Sequence, residues 1–436
     1  MLSLVTTPTT PCEAAAPPPA LLPVACNPAL ERLARSRRVL LLQGSVGPFF
    51  DRLTHWLHGR DAQVHRVVFH AGDQWDCQTI EPIAFRGRLD EWPAFFARLL
   101  ESHRIDCVAL FGQARSHHAC ALTVARPLGV SVVVFEEGYV RPGFATMELN
   151  GVNGHSTTLD RYRWCSGPDG AEPAWPPSDT AGNFQWRMAL HAMRHYLPLC
   201  ALPALNPHHV HHRSTHLRHH LTHWLRTAWR WWHHHRRDTL AVNRLASEHF
   251  FFFPLQNEGD AQITEHSPFS SVQHSVTRVL ESFAHHAPAN ALLVVRQHPW
   301  SRGHRETERA VHPVAERLGI GHRVVHLHEG DTTALVRHAA GIVVVNSTVG
   351  LLALRSGRPL MVLGDAVYRR TGLCHTDGLD HFWRSPREPA AELVQRFLRQ
   401  LIGLTQVPCD LYAPRDAPLD WHLTHPHMPS GSVVTR

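Results

Sequence analysis

Short apolar runs separated by longer segments of helical spacing dominate the middle of this chain of 436 residues. The short runs predict buried strands, and the intervening segments, such as Trp92–Leu100, predict amphipathic helices. In the amino-terminal half the predicted strands are Val39–Leu42, Val64–Phe69, Cys107–Phe111 and Val130–Phe135. In the carboxy-terminal half they are Phe250–Phe253, Leu292–Val295, Val324–Leu327, Ile342–Val345 and Leu360–Leu363. Strands that alternate with helices predict an α/β fold with parallel sheets, here in two halves.

The same pattern divides the chain into segments. Residues 1–36 are rich in Pro, Ala and Thr and lack a hydrophobic period, which predicts a disordered tail. We expect a first α/β domain over residues 37–205, a basic segment over 206–240, a second α/β domain over 241–410 and a tail over 411–436. Near the end of the second domain, Ala390–Leu404 has the pattern of a further helix.

Charge is concentrated in one segment. The chain has 43 basic and 37 acidic residues, a formal net charge of +6, and contains no lysine. Asn206–Arg237 holds six arginines, eleven of the 38 histidines and four of the 13 tryptophans, but neither Asp nor Glu. The rest of the chain is therefore formally neutral.

Cysteine spacing and hydropathy bear on the compartment. The nine cysteines are scattered and form no Cys-x-x-Cys pair, which favours a reducing environment over a disulfide framework or a zinc site. The first residues lack the basic region and long apolar stretch of a signal peptide, so none is expected. No run of about 18 apolar residues offers a transmembrane helix.

The basic segment has the pattern of an amphipathic helix. From Leu217 to Trp232 the apolar positions fall on a stripe of roughly 120°, with Arg218, Arg226 and Arg230 outside it. Tryptophan and arginine at this spacing suit the interface of a membrane that contains anionic lipid. A helix that packs on the first domain is the structural alternative. Nucleic-acid binding and metal storage are disfavoured, because no nucleic-acid module accompanies the patch and the histidines lack cysteine or acidic partners.

Four polar motifs directly follow predicted strands. They are Glu136-Glu137-Gly138, the Gln256–Ile263 loop with Glu258 and Asp260, His298-Pro299, and Asn346-Ser347-Thr348. Paired carboxylates suit glycosyl transfer with retention, and a histidine or a Ser/Thr-rich helix start suits a phosphate. Each motif also has a plain structural explanation: a helix cap, with Asn or Ser as N-cap, a solvated loop or a surface histidine. Their shared position at strand ends indicates one cleft.

Ordered motifs across both halves resemble the capsule polysaccharide biosynthesis family of the KpsS type, also called LipB. These motifs are Leu42–Phe50, His70–Asp73, Phe135–Pro142, Gln256–Ile263, His298-Pro299, Asn346–Gly350, Val362–Tyr368 and Gly378–Trp383. The resemblance implies a GT-B-like glycosyltransferase, with two Rossmann-like domains facing a cleft. It also implies transfer of Kdo from CMP-β-Kdo to a phosphatidylglycerol-type lipid, which begins the β-Kdo linker for capsule polysaccharide and its export.

The resemblance further implies roles for single residues. Asp260, in a Gln-x-x-x-Asp-x-x-Ile pattern that begins at Gln256, would be the nucleophile and Glu137 the acid/base, with the reverse assignment open. His298 and the Asn346-Ser347-Thr348 helix start would hold the CMP phosphate without a metal ion. Gly44 and Arg141 complete the expected substrate-binding set, and no cofactor is expected beyond the donor substrate.

The same resemblance defines the expected partners. These are CMP-Kdo, an anionic phospholipid acceptor on the inner leaflet, a second Kdo transferase and the capsule export machinery, but not nucleic acid. We therefore expect a cytoplasmic protein that is peripheral on the inner face of the cytoplasmic membrane. The alternative is a non-catalytic interaction component of the capsule assembly and export complex.

Overall fold

Two open sheets form the frame of the protein. The computed structural model describes residues 27–161, 181–202, 208, 232–257, 263, 266–298 and 306–421. The first sheet has seven strands in the order β12-β6-β5-β4-β1-β2-β3, and the second has five in the order β11-β10-β7-β8-β9. Neighbouring strands are parallel except that β6 is antiparallel to both β5 and β12.

The strand bounds are as follows. In the first sheet they are β1 Arg38–Leu41, β2 Gln63–Val68, β3 Ile83–Ala84, β4 Cys107–Phe111, β5 Ser131–Glu137, β6 Phe144–Leu149 and β12 Gln406–Pro408. In the second they are β7 Phe250–Pro254, β8 Leu292–Arg296, β9 Val324–Leu327, β10 Gly341–Val344 and β11 Leu360–Val362. All nine strands that the hydrophobic pattern predicts are present, which confirms the two α/β halves.

Helices connect the strands and cover the sheets. Those of the first half are α1 Pro28–Ala34, α2 Phe49–His58, α3 Ala71–Asp76, α4 Trp92–Ser102, α5 Ser116–Ala125, α6 Thr158–Arg161 and α7 Ala181–Ala201. Residues 232–245 form α8. The others are α9 Val272–His286, α10 Glu306–Arg317, α11 Thr332–His338, α12 Val349–Arg355, α13 Leu379–Phe382 and α14 Ala391–Thr405. None of the helices in these ranges is both long and apolar enough to cross a membrane.

Each sheet has a core on both faces. In β1, Val39 and Leu41 belong to one buried cluster, whereas Leu40 belongs to the cluster on the opposite face. In β7, Phe250 and Phe252 belong to one cluster of the second sheet, and Phe251 and Phe253 to the other. Strands buried on both sides read as continuous apolar runs, which is why the sequence pattern located them.

Two of the expected boundaries are wrong. Residues 1–36 were expected to be disordered, but Pro28–Ala34 forms α1, begun by the Asn27 side chain, which accepts hydrogen bonds from the amides of Ala29 and Leu30. The second domain was expected to extend to residue 410, but β12 pairs with β6 in the first sheet. Trp421, placed in the expected tail, is buried in the core of the first sheet.

The predicted helix near the end of the second domain is confirmed. It is α14, which packs its apolar side into the core of the second sheet and leads directly into β12 of the first sheet. Several other predictions lie outside the described residues. These are the amphipathic helix Leu217–Trp232 except for its last residue, and both carboxylates of the Gln256–Ile263 loop, Glu258 and Asp260.

Candidate functional site

The second sheet places three predicted residues at the carboxyl ends of adjacent strands. Asn346, Gln256 and His298 each follow the last residue of their strand, β10, β7 and β8 respectively, by two positions. The register of these central strands brings the three residues to matching places along the sheet edge. From β7 the chain adds β8 and β9 on one side of the sheet and then β10 and β11 on the other, so a switch point lies between β7 and β10. Open α/β sheets bind ligands in the crevice at such a switch point.

Hydrogen bonds fix this edge. The Asn346 amide N–H donates to Gln256 Oε1 at 3.3 Å, and Asn346 Nδ2 donates to the backbone oxygen of His266 at 2.6 Å. A methyl group on Gly364 would lie 2.5 Å from Asn346 Oδ1, so only glycine leaves room for the Asn346 side chain. Asn346 is therefore held between two loops, and Gln256 aligns its backbone.

Ser347 and Thr348 begin α12 differently from the expected cap. The N-cap is Thr348, whose side chain makes no capping hydrogen bond, and Ser347 Oγ accepts from the Val349 amide at 3.3 Å. Tyr368 closes the turn, because its hydroxyl donates to the Ser347 backbone oxygen at 2.5 Å and its ring fills the space beside Gly350. Since α12 has only seven residues, the polar side chains before it, rather than a helix dipole, define this edge.

The first sheet has a matching switch point between β1 and β4. Gly44 and Gly112 follow these strands, and Glu136 occupies the corresponding place on β5. Arg115, which follows β4, connects to the loop after β1, because its Nη1 donates to the Gly44 backbone oxygen at 3.0 Å. A methyl group on Gly112, whose φ is +80°, would lie 3.4 Å from Arg115 Nε and 3.8 Å from Glu136 Oε1. Arg115 therefore brings a guanidinium beside a carboxylate at this edge.

Glu137 is held on the other side of β5. Its Oε2 lies 2.5 Å from Arg141 Nη1, and the hydroxyl of Tyr412 donates to its Oε1 at 3.3 Å. Arg141 is itself oriented by the hydrogen bond from its Nε to the Gly138 backbone oxygen. The two predicted residues Glu137 and Arg141 are thus brought together as a partly exposed ion pair.

The edges of the two sheets meet at His266. A methyl group on Gly154, in the turn after β6, would lie 2.5 Å from His266 Nδ1 and 3.3 Å from the Asp365 backbone oxygen. The rings of His155 and His266 have centroids 4.6 Å apart. Burial lowers the pKa of His266, and the neighbouring His155 lowers it further, whereas Asp365 opposes the shift. Because His266 also bonds Asn346, this contact links the first sheet to the switch point of the second.

A buried carboxyl group supports the same contact from the first sheet. Glu148 on β6 accepts hydrogen bonds from the Tyr139 hydroxyl and from Ser156 Oγ. The Asn153 amide donates to the Tyr139 oxygen at 2.7 Å, which fixes the turn that carries Gly154. Burial raises the pKa of Glu148 to about 7, although its hydrogen bonds to Ser156, Thr158 and Tyr139 lower it.

A possible metal-binding group lies elsewhere. His375, Asp377 and His381 each offer a ligand atom within 4.8 Å of the others. The His375 amide donates to the backbone oxygen of Leu360, the first residue of β11, so this group lies at the amino-terminal edge of the second sheet. It is therefore at the opposite edge from Asn346 and Gln256.

Sequence reasoning found part of this site and missed part. It found Gln256, His298 and Asn346 because each follows an apolar strand, and it named Gly44 through the family resemblance. It assigned no role to Arg115, His266 or Tyr368, which lie in loops and reach the sheet edge only through folding. For Arg115 the available signal was its position three residues after Gly112, in the turn between β4 and α5.

Two Rossmann-like units, joined by a helix that returns from the second to the first, define a GT-B-like fold, the architecture of many glycosyltransferases. The sequence model of the capsule polysaccharide biosynthesis protein family matches residues 106–412, and the chain belongs to this family.

Named relatives extend over most of the chain. It is 32% identical over 393 residues to the capsule polysaccharide modification protein LipB of Neisseria meningitidis serogroup B, an alignment that covers 87% of this chain and 93% of LipB. It is 32% identical over 385 residues to the capsule polysaccharide export protein KpsS of Escherichia coli, covering 87% and 98%. Among solved structures, the β-Kdo 2,7 transferase KpsC of Thermosulfurimonas dismutans matches with a TM-score of 0.40 and 14% identity, over 84% of this chain and 90% of KpsC.

Proposed function

We propose that this protein is a retaining β-Kdo glycosyltransferase that moves Kdo from CMP-β-Kdo to a phosphatidylglycerol-type lipid. The observation that carries the proposal is the pair of matching switch points in a chain of the capsule family. One has neutral polar groups and a histidine; the other has Glu136 and Arg115, with the Glu137–Arg141 ion pair on the opposite face of the same strand. Such a pair of switch points provides separate places for a nucleotide phosphate and for acid/base chemistry.

The second sheet supplies the donor side of the proposal. His298 and the Ser347-Thr348 turn bring polar groups to one sheet edge, where Asn346 holds the turn through its bonds to Gln256 and His266, and none of them adds negative charge. Donors aimed at a phosphate oxygen stabilise the charge that develops as CMP leaves. Gln256 contributes by aligning the Asn346 backbone.

The reaction has two steps in this proposal. In the first, a carboxylate oxygen of Asp260 bonds to the anomeric carbon of Kdo, and the bond between that carbon and the phosphate oxygen breaks, so that CMP leaves with the electron pair. In the second, the acceptor hydroxyl oxygen attacks the same carbon and displaces Asp260, while its proton passes to Glu137. Two inversions retain the β configuration.

The proposed setting is the membrane surface. An anionic lipid acceptor places the reaction on the inner face of the cytoplasmic membrane, and the acid-free segment Asn206–Arg237 has the charge to favour that surface. A second Kdo transferase, to extend the linker, and the capsule export machinery are the proposed protein partners.

A reconstituted transfer assay tests the proposal. Purified protein is incubated with CMP-Kdo generated in situ and a phosphatidylglycerol analogue, and the lipid is analysed by mass spectrometry and its linkage by NMR. We expect one or more β-linked Kdo units on the lipid, and none with Asp260→Asn. Absence of Kdo transfer under all donor and acceptor conditions would refute the activity. Normal capsule production by cells carrying Asp260→Asn would instead favour the non-catalytic interaction component.

A further inference from the structure

Helix α7 presents a row of large apolar side chains to solvent. Trp186, Met193 and Leu197 are 71%, 43% and 54% exposed, respectively. Spacings of seven and four residues place them on one side of the helix. Single exposed apolar residues are common, but a continuous row on one helix face indicates an interaction surface.

The helix that carries this row is firmly anchored to the first sheet's domain. His195 and Leu199, on the opposite side, are buried. His195 Nδ1 lies 2.7 Å from Asp76 Oδ2 on α3, and Arg187 Nη2 donates to Asp410 Oδ2 at 2.5 Å. The apolar row is therefore a fixed feature of the domain surface.

A cavity with two arginines in its lining lies beside the row. It has a volume of about 490 Å³, and Arg194 of α7, Arg415 and Trp75 are among its lining residues. Arg415 Nε donates to Asp51 Oδ2 at 2.6 Å, so Arg194 is the charge on which the proposal depends. Arg194 follows Met193 and lies roughly 100° from it around α7, so the cavity that Arg194 lines is on the flank of the helix next to the apolar row. The carboxylate that lines the cavity, Asp76, is already occupied by His195 and by the Gly47 amide. The 55% exposed ring of Trp75 adds a further apolar group at the rim.

We propose that the outer face of α7 docks on an anionic phospholipid bilayer, with the apolar row in the interface and Arg194 with its cavity receiving a lipid phosphate. An anionic bilayer is favoured because its negative charge complements the acid-free basic segment Asn206–Arg237, which begins only a few residues after α7 ends. A second copy of the chain is disfavoured, since one row of three side chains is far smaller than the roughly 800 Å² that a stable partner covers. This surface deepens the proposed function, on which it rests, by defining where the lipid acceptor is met.

Vesicle flotation tests the surface without donor or turnover. The full chain is mixed with phosphatidylcholine vesicles that contain or lack phosphatidylglycerol. We expect binding to the anionic vesicles, at least about tenfold weaker for the double variant Trp186→Ser/Leu197→Ser, because the apolar contact with the interface is lost. Arg194→Ala should weaken binding to the anionic vesicles only. Leu128→Ser, at an apolar residue that is 45% exposed elsewhere on the domain, is the matched control and should bind as the wild type does.

Each other outcome overturns the proposal. Unchanged vesicle binding by the double variant would mean that the basic segment alone holds the membrane. A lower melting temperature of the double variant with unchanged vesicle binding would mean that another part of the chain covers the row. A change from oligomer to monomer would identify a second copy as the occupant. Since binding is measured without CMP-Kdo, failure of the transfer assay and failure of this surface are separate results.

Discussion

Glu136 and Glu137 are neighbours in the chain but leave β5 on opposite faces, and this separates their chemistry. Glu136 lies beside Gly112 and Arg115 at the switch point, whereas Glu137 is paired with Arg141 and Tyr412. Each carboxylate has a cationic neighbour, but only Glu137 belongs to the proposed acid/base pair. Replacing either glutamate with glutamine makes the same small change in the side chain, so the two variants can be compared directly.

We expect Glu137→Gln to lower Kdo transfer by about 10²–10⁴-fold, the usual contribution of a positioned acid/base group. Glu136→Gln should lower it by much less, because Arg115 keeps its bond to the Gly44 oxygen. Rates of transfer to the lipid analogue, at saturating donor, measure both. A large loss for Glu136→Gln with a small loss for Glu137→Gln would move the acid/base role to Glu136.

Glu148 predicts a pH dependence of stability. Its pKa is raised by burial to about 7 from the ordinary value of 4.5, so the folded protein keeps a proton that the unfolded chain releases at lower pH. The folded state therefore loses stability as pH rises through this window, on the order of 3 kcal/mol for this group. Glu148→Gln cannot ionise, and relative to the wild type it should gain 1–3 kcal/mol, roughly, between pH 5 and pH 8.

Denaturant unfolding of both proteins at several pH values measures this effect. The difference between variant and wild type cancels the titration of the many histidines, which are common to both. A difference that stays constant from pH 5 to pH 8 would contradict the raised pKa.

At the scale of elements, apolar patterning predicted the strands with continuously apolar runs and missed buried elements whose sequences break that pattern. The nine predicted strands are all present because their runs are continuously apolar. Strand β6 was missed because it carries Glu148, an acidic residue that does not fit the pattern of a buried strand. In the folded protein its carboxyl group is buried and accepts hydrogen bonds from Tyr139 and Ser156. Helix α1 was missed although Asn27 and Pro28 form a standard helix start, because the Pro- and Ala-rich residues before them gave the whole segment a disordered composition.

The segment after β12 is an element of the first core, although its sequence predicted a tail. Trp421 packs against Phe49, Trp56 and Phe135, and its indole N–H donates to the Pro408 backbone oxygen at 2.8 Å. We expect Trp421→Ala to lower the free energy of unfolding by about 3–5 kcal/mol, as for other buried aromatic residues.

Trp186→Ala is the control for this substitution, since the Trp186 ring is largely exposed and should change stability by less than about 0.5 kcal/mol. Urea unfolding monitored by circular dichroism measures both variants. Equal stability of Trp421→Ala and the wild type would remove the terminal segment from the core.

At the scale of the whole molecule, the site is a product of two sheets that meet, and the sequence predicted only their edges. Strand-end motifs located Asn346 and Gln256 because parallel strands carry ligands at that edge. The pairing of the edges could not be predicted, because it depends on Gly154 and His266, two residues without a distinctive local pattern. The path of α14 back to the first sheet then ties the two units together.

This arrangement predicts that the second sheet binds the donor nucleotide and the first sheet carries the acid/base group. If the second sheet holds the donor nucleotide, His298→Ala should weaken CMP binding at least about tenfold because it removes a polar group expected to face the phosphate. Asn346→Ala should do the same because it removes the bond to His266 that holds the turn at this edge. Glu137→Gln, on the first sheet, should leave CMP binding within about twofold of the wild type while transfer is lost. Isothermal titration with CMP, on variants whose melting temperature matches the wild type, measures these affinities. Equal loss of CMP affinity in Glu137→Gln and Asn346→Ala would contradict this assignment, because the nucleotide would then contact both sheets.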